Sequence, residues 1–224
     1  MTVLLQQTRA GLCLPDARGE DALRATYAQR ACVTLPRFLD APLLAHLQAR
    51  VARAAWRDLV HDVGELATEL ALLDDRVPGI LALLVQDPAL VAFVQRITGC
   101  DAIGSFIGRV YRMDAGAGHH DVWHGDDDDN RMVALSVNLS PRVYDGGVLE
   151  LRERGSLRLL QRVANTGPGD AILFRIDHAL EHRVTDVAGA ASKIAYAGWF
   201  QREPVVRLGG ATPPAGMPRP RGGP

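Results

Sequence analysis

The sequence predicts an α+β protein in which a helical first half packs against an all-β core of the jelly-roll kind. From Glu20 to about Arg96, apolar residues recur mainly at helical spacing. After Gly99 the chain changes to short, often alternating apolar segments, which are separated by Gly, Pro, Asp and Asn. Seven or more such strands at regular spacing are typical of a β-sandwich or barrel.

The first half opens with an irregular stretch, which we predict for residues 1 to about 18 because they carry no sustained period. A short extended piece, ACVTLPRFL, comes later, and a helix is expected after Asp40, a good N-cap with Pro42 in the first turn. A second helical stretch is predicted over GELATELALL. A third, DPALVAFVQRITG, should end at Gly99, since glycine commonly terminates helices.

The second half holds the predicted strands, which are AIGSFIGRVYRM, MVALSVNLS, GGVLELRE, LRLLQRVA, GDAILFR, HRVTDV and KIAYAGWF. We expect a single domain over residues 1–208, with helical support at about 20–99 and the β core at about 100–202. Residues 209–224 are rich in Pro and Gly, and we predict that they are disordered.

Bulk properties exclude several classes of partner. The formal net charge is -1 and the pI is near 6.7, so the chain has no basic footprint for nucleic acid. No apolar run is long enough for a membrane span, and the amino terminus lacks the pattern of a signal peptide. The 3 cysteines are widely spaced, which favours a reducing, cytoplasmic compartment without a disulfide framework. The oligomeric state is left open.

Histidine and aspartate are concentrated in HHDVWHGDDDDN, residues 119–130. This segment lies between two predicted strands. It can be a solvated acidic turn, or it can be part of a metal site. Residues i and i+2 of an extended chain project to the same side, so a His-x-Asp pair can converge on one ion. Two such pairs fit equally well on spacing alone, His119 with Asp121 and His124 with Asp126.

A third ligand would come from GDAILFRIDHALEHRVTDV, which holds His178 and His182. Two imidazoles and one carboxylate with the remaining positions open form the facial arrangement of non-heme iron(II) oxygenases. A structural zinc site would more often close its fourth position with another protein ligand. The residue types therefore favour a catalytic iron site over structural zinc.

The sequence resembles the iron(II)- and 2-oxoglutarate-dependent oxygenases, specifically their prolyl 4-hydroxylase-like group. The resemblance spans about residues 103–202 and rests on YRMDAGAGHHDVWHGD, MVALSVNLS, YDGGVLEL and GDAILFRIDHALEHRVTDVAGAASKIAYAGWF. It implies a double-stranded β-helix, Fe(II) as the metal, and 2-oxoglutarate and O2 as cosubstrates, with ascorbate as a supporting reductant.

The resemblance also chooses between the two His-x-Asp pairs. In the family the first iron ligand stands six residues after a glycine, and the count from Gly118 to His124 fits this pattern. His182 opens His-Arg-Val-Thr as the second family histidine does. The resemblance therefore implies His124, Asp126 and His182 as the iron ligands and leaves His178 in the preceding connection.

The family binds the distal carboxylate of 2-oxoglutarate through a Lys or Arg about ten residues after the second histidine. Lys193, the one lysine among 25 basic residues, lies eleven residues after His182. An ammonium at the floor of an apolar pocket can satisfy a carboxylate there. The resemblance further implies Tyr111 as a phenol donor to that carboxylate and Thr185 as another donor.

These residues predict a 2-oxoglutarate-dependent dioxygenase that hydroxylates an unactivated C–H bond and releases succinate and CO2. Halogenating relatives have glycine at the carboxylate position, whereas this chain has Asp126, which favours hydroxylation. Demethylation, desaturation and cyclisation at the same site stay open as outcomes. A non-catalytic jelly-roll binding protein also stays open as an alternative to an enzyme. A small-molecule, amino-acid or peptidyl substrate fits the pattern, without nucleic acid or membrane as a partner.

Overall fold

The computed structural model describes residues 5–62, 66–126, 128–164 and 167–204. The tail predicted to be disordered, 209–224, lies outside this part of the chain. In chain order the elements are β1 (Gln6–Thr8), β2 (Gly11–Cys13), α1 (Ala17–Arg30), β3 (Cys32–Leu35), α2 (Ala41–Val51), β4 (Trp56–Asp62), β5 (Leu66–Leu72), α3 (Arg76–Val85), α4 (Pro88–Thr98), β6 (Ser105–Met113), β7 (Arg131–Asn138), β8 (Asp145–Gly146), β9 (Leu149–Glu153), β10 (Leu159–Val163), β11 (Ala171–Arg175), β12 (Leu180–Val184), β13 (Val187–Ala188) and β14 (Lys193–Gln201).

Two facing antiparallel sheets form the centre of the molecule. The major sheet has 7 strands in the order β3-β11-β7-β14-β6-β5-β4, and the minor sheet has 3 in the order β10-β9-β12. β14 is central in the major sheet, and it pairs over its full length with β6. The inner faces meet through Ala134, Ile172 and Phe174 of the major sheet and Leu149 and Leu151 of the minor sheet. The predicted jelly-roll core is therefore confirmed.

The helices cover the outer face of the major sheet. Their buried side chains form one core with outward-facing residues of β6, β7, β11 and β14, such as Phe106, Val110 and Tyr196. Local signals set the helix ends as the sequence indicates. The Asp40 carboxylate accepts a hydrogen bond from Leu43 N at the start of α2. Gly99 closes α4 in the left-handed conformation, with φ of 69°.

The prediction for GELATELALL was wrong, because the described part of this segment is strand β5. Its seven residues alternate, with Ala67, Glu69 and Ala71 buried and their neighbours less so. The alternation typical of a strand is not visible in the sequence, because small alanines and a buried glutamate occupy the inward positions. β5 pairs with β4 along seven residues and with β6 at two positions. The first half of the chain thus supplies the outermost strands of the major sheet.

The amino-terminal prediction also needs correction, since the part of the lead-in that the structure describes is not irregular throughout. β1 and β2 form a short hairpin. α1 begins after Asp16, whose side chain accepts a hydrogen bond from Gly19 N. The predicted helical half begins at Glu20, three residues after the first residue of this helix, and Tyr27 is its one buried residue, so periodicity does not set where it starts.

Among the described helices, none is by itself long and apolar enough to cross a membrane. The bent pair Arg76–Val85 and Pro88–Thr98 passes a test of length and composition together. Both helices bury their apolar side chains in the core of the molecule, as Leu81 and Phe93 illustrate.

Candidate active site

A cavity of about 410 Å³ lies between the two sheets. Its walls come from β4, β5, β6, β7, β11 and β14 of the major sheet, from β9 and β12 of the minor sheet, and from the segment between β6 and β7. That segment connects the two sheets: His120 forms a β-bridge with Thr68 of β5, and His124 forms one with His182 of β12. His120, Asp121, His124 and Asp126 of the acidic and histidine-rich stretch therefore line the cavity.

Three potential metal ligands converge in this cavity. The ligand atoms of His124, Asp126 and His182 all lie within 4.8 Å of one another. Asp126 Oδ2 is 3.3 Å from His182 Nε2, and its Oδ1 is 3.9 Å from His124 Nε2. Two imidazoles and a carboxylate on one side of an open cavity suit iron(II) with free coordination positions. No other group of three or more such side chains occurs in the part of the chain that the structure describes.

The backbone sets this convergence. His124 N donates to His182 O at 3.0 Å, and His182 N donates to His124 O at 2.9 Å. Their rings lie on the same side of the bridge, with centroids 4.4 Å apart. His124 Nδ1 is 2.8 Å from the carbonyl oxygen of Val122. If Nδ1 carries the proton and donates to that carbonyl, Nε2 presents its lone pair to the cavity.

Asp126 is held as a carboxylate. Trp199 donates its indole N–H to Oδ2 at 2.6 Å, and Arg131 Nη1 is 3.1 Å from Oδ1. The Arg131 guanidinium stacks on the Trp199 ring, 3.9 Å from its centroid. Burial by itself would raise the pKa of Asp126, but the hydrogen bond with His182, both imidazoles and the Trp199 N–H outweigh it and lower this pKa to about 2.

His119 and Asp121, the alternative His-x-Asp pair, make other contacts. His119 Nδ1 accepts a hydrogen bond from Asp114 N, at the end of β6. Asp121 lines the cavity, but its Oδ2 accepts from Val184 N at 2.8 Å and its Oδ1 is 3.4 Å from His124 Nδ1. Asp121 therefore sits behind His124 as a supporting carboxylate. Neither residue joins the group of three converging side chains.

Lys193 lies at the start of β14 and lines the same cavity. The residue is 4% exposed, and its ammonium donates to Gly147 O at 3.0 Å. Within the described residues, no carboxylate forms an ion pair with it. Burial lowers the pKa of Lys193 to about 8, although Asp121 and Glu69 act in the opposite direction. A buried cation without an anionic partner is suited to binding an anion.

Tyr111 lies beside this lysine, whose Nζ is 5.7 Å from the centroid of the phenol ring. The ring is buried and lines the cavity, and burial raises the pKa of the hydroxyl well above its usual value, so it stays protonated. Thr185 has a different position. Its Oγ1 accepts a hydrogen bond from Val148 N at 3.0 Å, and it does not line the cavity. Its role as a cosubstrate donor stays a prediction.

Several cavity residues escaped sequence reasoning. His61 and Glu69 belong to β4 and β5 and line the cavity, in the half of the chain that the sequence predicts to be largely helical. Arg109 belongs to β6, and its position two residues before Tyr111 places it on the same face of the strand. That spacing was the available signal, because an arginine at an inward strand position needs a partner or a function.

Residues 108–201 match the family model described as 2OG-Fe(II) oxygenase superfamily. No curated protein sequence matches the chain.

Solved structures share the fold. An oxidoreductase of the 2OG-Fe(II) oxygenase family from Burkholderia pseudomallei is 18% identical, with a TM-score of 0.65 over 89% of this chain and 96% of that one. A prolyl-4-hydroxylase from Pseudomonas putida is 17% identical, with a TM-score of 0.54 over 82% of this chain and 99% of that one.

A third structure is the epimerase SnoN in complex with Fe3+, alpha ketoglutarate and nogalamycin RO. It is 13% identical, with a TM-score of 0.60 over 93% of this chain and 95% of that one. At these identities the structures establish the fold alone, and the activity class rests on the family model. Residues 108–201 therefore carry a 2OG-Fe(II) oxygenase domain, and this match supports a 2-oxoglutarate-dependent dioxygenase.

Proposed function

We propose that this dioxygenase hydroxylates an unactivated C–H bond of a small-molecule, amino-acid or peptidyl substrate, with release of succinate and CO2. His124, Asp126 and His182 hold the iron. Lys193 and Tyr111 bind the distal carboxylate of 2-oxoglutarate. The observation that carries this proposal is one cavity that combines the three converging ligands with a buried, unpaired lysine.

The donor set fits iron(II). Two imidazoles and one ionised carboxylate occupy one side of the cavity, so the other side is left for the cosubstrate and O2. When bound, iron(II) supplies the coordination site at which 2-oxoglutarate and O2 react to give succinate, CO2 and an oxidant for the substrate. Because Asp126 fills the third protein position, the site favours hydroxylation over halogenation.

The side chains of the protein orient the iron ligands and the cosubstrate, and they exclude water from the site. Trp199 and Arg131 fix the Asp126 carboxylate, so that its oxygen atoms stay turned toward the two imidazoles. The ammonium of Lys193 and the protonated phenol of Tyr111 orient the cosubstrate from the deep end. Apolar side chains such as Phe174 and Leu149 line the remaining wall and restrict the entry of water.

A second outcome at the same site has one observation in its favour. The fold is shared with the epimerase SnoN, whose crystal structure contains Fe3+ and alpha ketoglutarate. An outcome other than hydroxylation, such as epimerisation, is therefore the alternative within this proposal. Product analysis by mass distinguishes them, because hydroxylation adds one oxygen atom and epimerisation leaves the mass unchanged.

The test is succinate formation from 2-oxoglutarate with and without iron(II), together with iron binding by single variants. We expect iron-dependent succinate in the unmodified protein and loss of iron binding in His124→Ala, Asp126→Ala and His182→Ala. His119→Ala is the matched control and should keep iron. Iron binding that is lost in His119→Ala and kept in His124→Ala would overturn the ligand assignment.

A further inference from the structure

A second group of charged side chains lines the cavity, on the side formed by β4, β5 and β6. Arg109 Nε donates to Glu69 Oε1 at 2.8 Å, and Arg109 Nη2 is 3.1 Å from His61 Nε2. Glu69 Oε1 also lies 3.0 Å from His61 Nε2. All three residues line the cavity that holds the converging ligands. They take no part in binding the iron or the distal carboxylate of 2-oxoglutarate.

This group keeps hydrogen-bonding capacity for a ligand. Glu69 is 9% exposed, and both of its hydrogen bonds reach the same oxygen, Oε1. Within the described residues, neither Glu69 Oε2 nor Arg109 Nη1 forms a hydrogen bond. His61 Nε2 can either donate to Glu69 or accept from Arg109, so one of these contacts is always left unmade. A buried carboxylate and a guanidinium therefore each offer an open position in the same cavity.

The Glu69 carboxyl is ionised at neutral pH. Burial tends to raise its pKa, but the hydrogen bond from His61 and the charge and hydrogen bond of Arg109 outweigh burial, so the pKa is lowered. The Arg109 side chain is 38% exposed, although its partner Glu69 is almost buried. The positive charge is thus on the accessible side of the pair, and the negative charge is beneath it.

Counting charges over the whole cavity narrows the class of substrate. Its walls hold three acidic side chains, Glu69, Asp121 and Asp126, and three basic ones, Arg109, Arg131 and Lys193. The two positive charges of iron(II) balance the two carboxylates of 2-oxoglutarate. A primary substrate without net charge therefore disturbs this balance least, because an uncompensated charge is costly in a partly buried site.

The size of the cavity also restricts the class of substrate. A volume of about 410 Å³ is near the lower end of the ~300–1,000 Å³ typical of small-molecule sites, and the cosubstrate takes part of it. A small molecule fits this space better than a segment of another protein. A small substrate with no net charge matches both Arg109 and Glu69 best when it carries one anionic and one cationic group, because charge-assisted hydrogen bonds are the stronger ones.

We propose that Arg109 and Glu69 bind the carboxylate and the ammonium group of a free α-amino acid, which is the primary substrate. Arg109 holds the carboxylate through Nη1, and Glu69 Oε2 accepts from the ammonium. The side chain of the amino acid then extends toward the iron ligands, where its C–H bond is hydroxylated. This inference rests on the proposed function and adds the substrate class to it.

The test is anaerobic calorimetric titration of the protein, loaded with iron(II) and 2-oxoglutarate, with a panel of protein and non-protein L-α-amino acids. Binding does not require turnover, so it is read separately from activity. We expect at least one amino acid to bind, and its amide and N-acetyl derivatives to bind about 30-fold more weakly or worse, since each leaves one charge without its partner. The binding amino acid should also stimulate succinate release.

The variants are Arg109→Met and Glu69→Gln, which remove one charge each with little change in shape. We expect each to weaken binding of the amino acid by about 30-fold or more. Arg112→Met is the matched control, because Arg112 belongs to the same strand but faces away and pairs with Asp114 at 2.6 Å. Unfolding temperatures show that each variant is folded. Arg109→Lys should restore part of the affinity, since it keeps the charge.

Three outcomes would overturn the inference: no α-amino acid binds, the amide and N-acetyl derivatives bind as well as the free amino acid, or Arg112→Met weakens binding as much as Arg109→Met. The proposed function is judged apart from these results. Iron-dependent succinate formation in the absence of any primary substrate supports it even if every amino acid fails. If that reaction is absent as well, both proposals fall.

Discussion

Lys193 is the one lysine of the chain, and its ammonium is buried in the cavity with a carbonyl oxygen as its hydrogen-bond partner. We predict that Lys193→Ala weakens binding of 2-oxoglutarate by two to three powers of ten, because removing one member of a buried charged pair costs ~3–5 kcal/mol. Iron binding should survive. Lys193→Arg should keep more affinity than the alanine variant, but its rigid fork differs from an ammonium, so full affinity is not expected.

The measurement is the affinity for 2-oxoglutarate with iron(II) saturating in every variant. Arg96→Ala is a control for loss of a cation elsewhere, because its guanidinium pairs with Glu20 on the outer helices. If Lys193→Ala bound 2-oxoglutarate as tightly as the unmodified protein, the anchor would have to be sought among the arginines of the cavity.

The lowered pKa of Lys193 predicts how 2-oxoglutarate binding depends on pH. Below pH 8 the amine of the free protein is already protonated, so this group adds no pH dependence. Above pH 8 the free amine is neutral, and binding the carboxylate must take up a proton. Affinity should therefore fall by about tenfold per pH unit above pH 8. Titration calorimetry at several pH values measures this slope. In Lys193→Arg the slope should vanish, because a guanidinium stays charged.

At the scale of elements, the strand-like segment that carries the first two ligands is held by an unusual stack. Trp123 contacts two guanidinium groups, with Arg152 at 4.0 Å and Arg183 at 4.8 Å from its ring centroid. Each arginine is fixed by a glutamate of a neighbouring strand, Arg152 by Glu181 and Arg183 by Glu150. The stack fastens this segment to the minor sheet, one residue before His124.

We predict that Trp123→Ala lowers iron(II) affinity by about tenfold, because supporting contacts of metal ligands are typically worth 10–100-fold in affinity. Two cation–π contacts of ~0.5–1 kcal/mol each account for a change at the lower end of that range. Trp123→Phe keeps a ring in contact with the guanidiniums and should recover most of the affinity. Trp56→Ala is the control, since Trp56 lies at the start of edge strand β4 and does not line the cavity. If Trp123→Ala and the control bound iron(II) with equal affinity, the stack would have no role in positioning the ligands.

At the scale of the molecule, the helical half and the β core share one hydrophobic core and one sheet. β3 pairs with β11, and β5 pairs with β6, so strands from the first half lie at both ends of the major sheet. We predict that residues 100–204 alone do not unfold cooperatively, because their outer face and two strand edges would be uncovered. The chain 1–208 is the control and should unfold as the full chain does. Thermal unfolding of the fragment with a single sharp transition would contradict this prediction.

The sequence by itself determined the fold class, the class of chemistry and a short set of candidate ligands. Hydrophobic periodicity, turn residues and helix caps are local signals that act over a few residues. They therefore predict elements such as β6 and α4 without tertiary structure. The tertiary structure alone decided that Leu66–Leu72 is a strand, since its inward positions are alanine and glutamate and carry no hydrophobic signal. It also decided which side chains share a cavity: Glu69 and Arg109 are forty residues apart and meet only because β5 lies beside β6. Contacts between distant segments depend on which strands pair in the sheet, and the local pattern of one segment does not identify its partner strand.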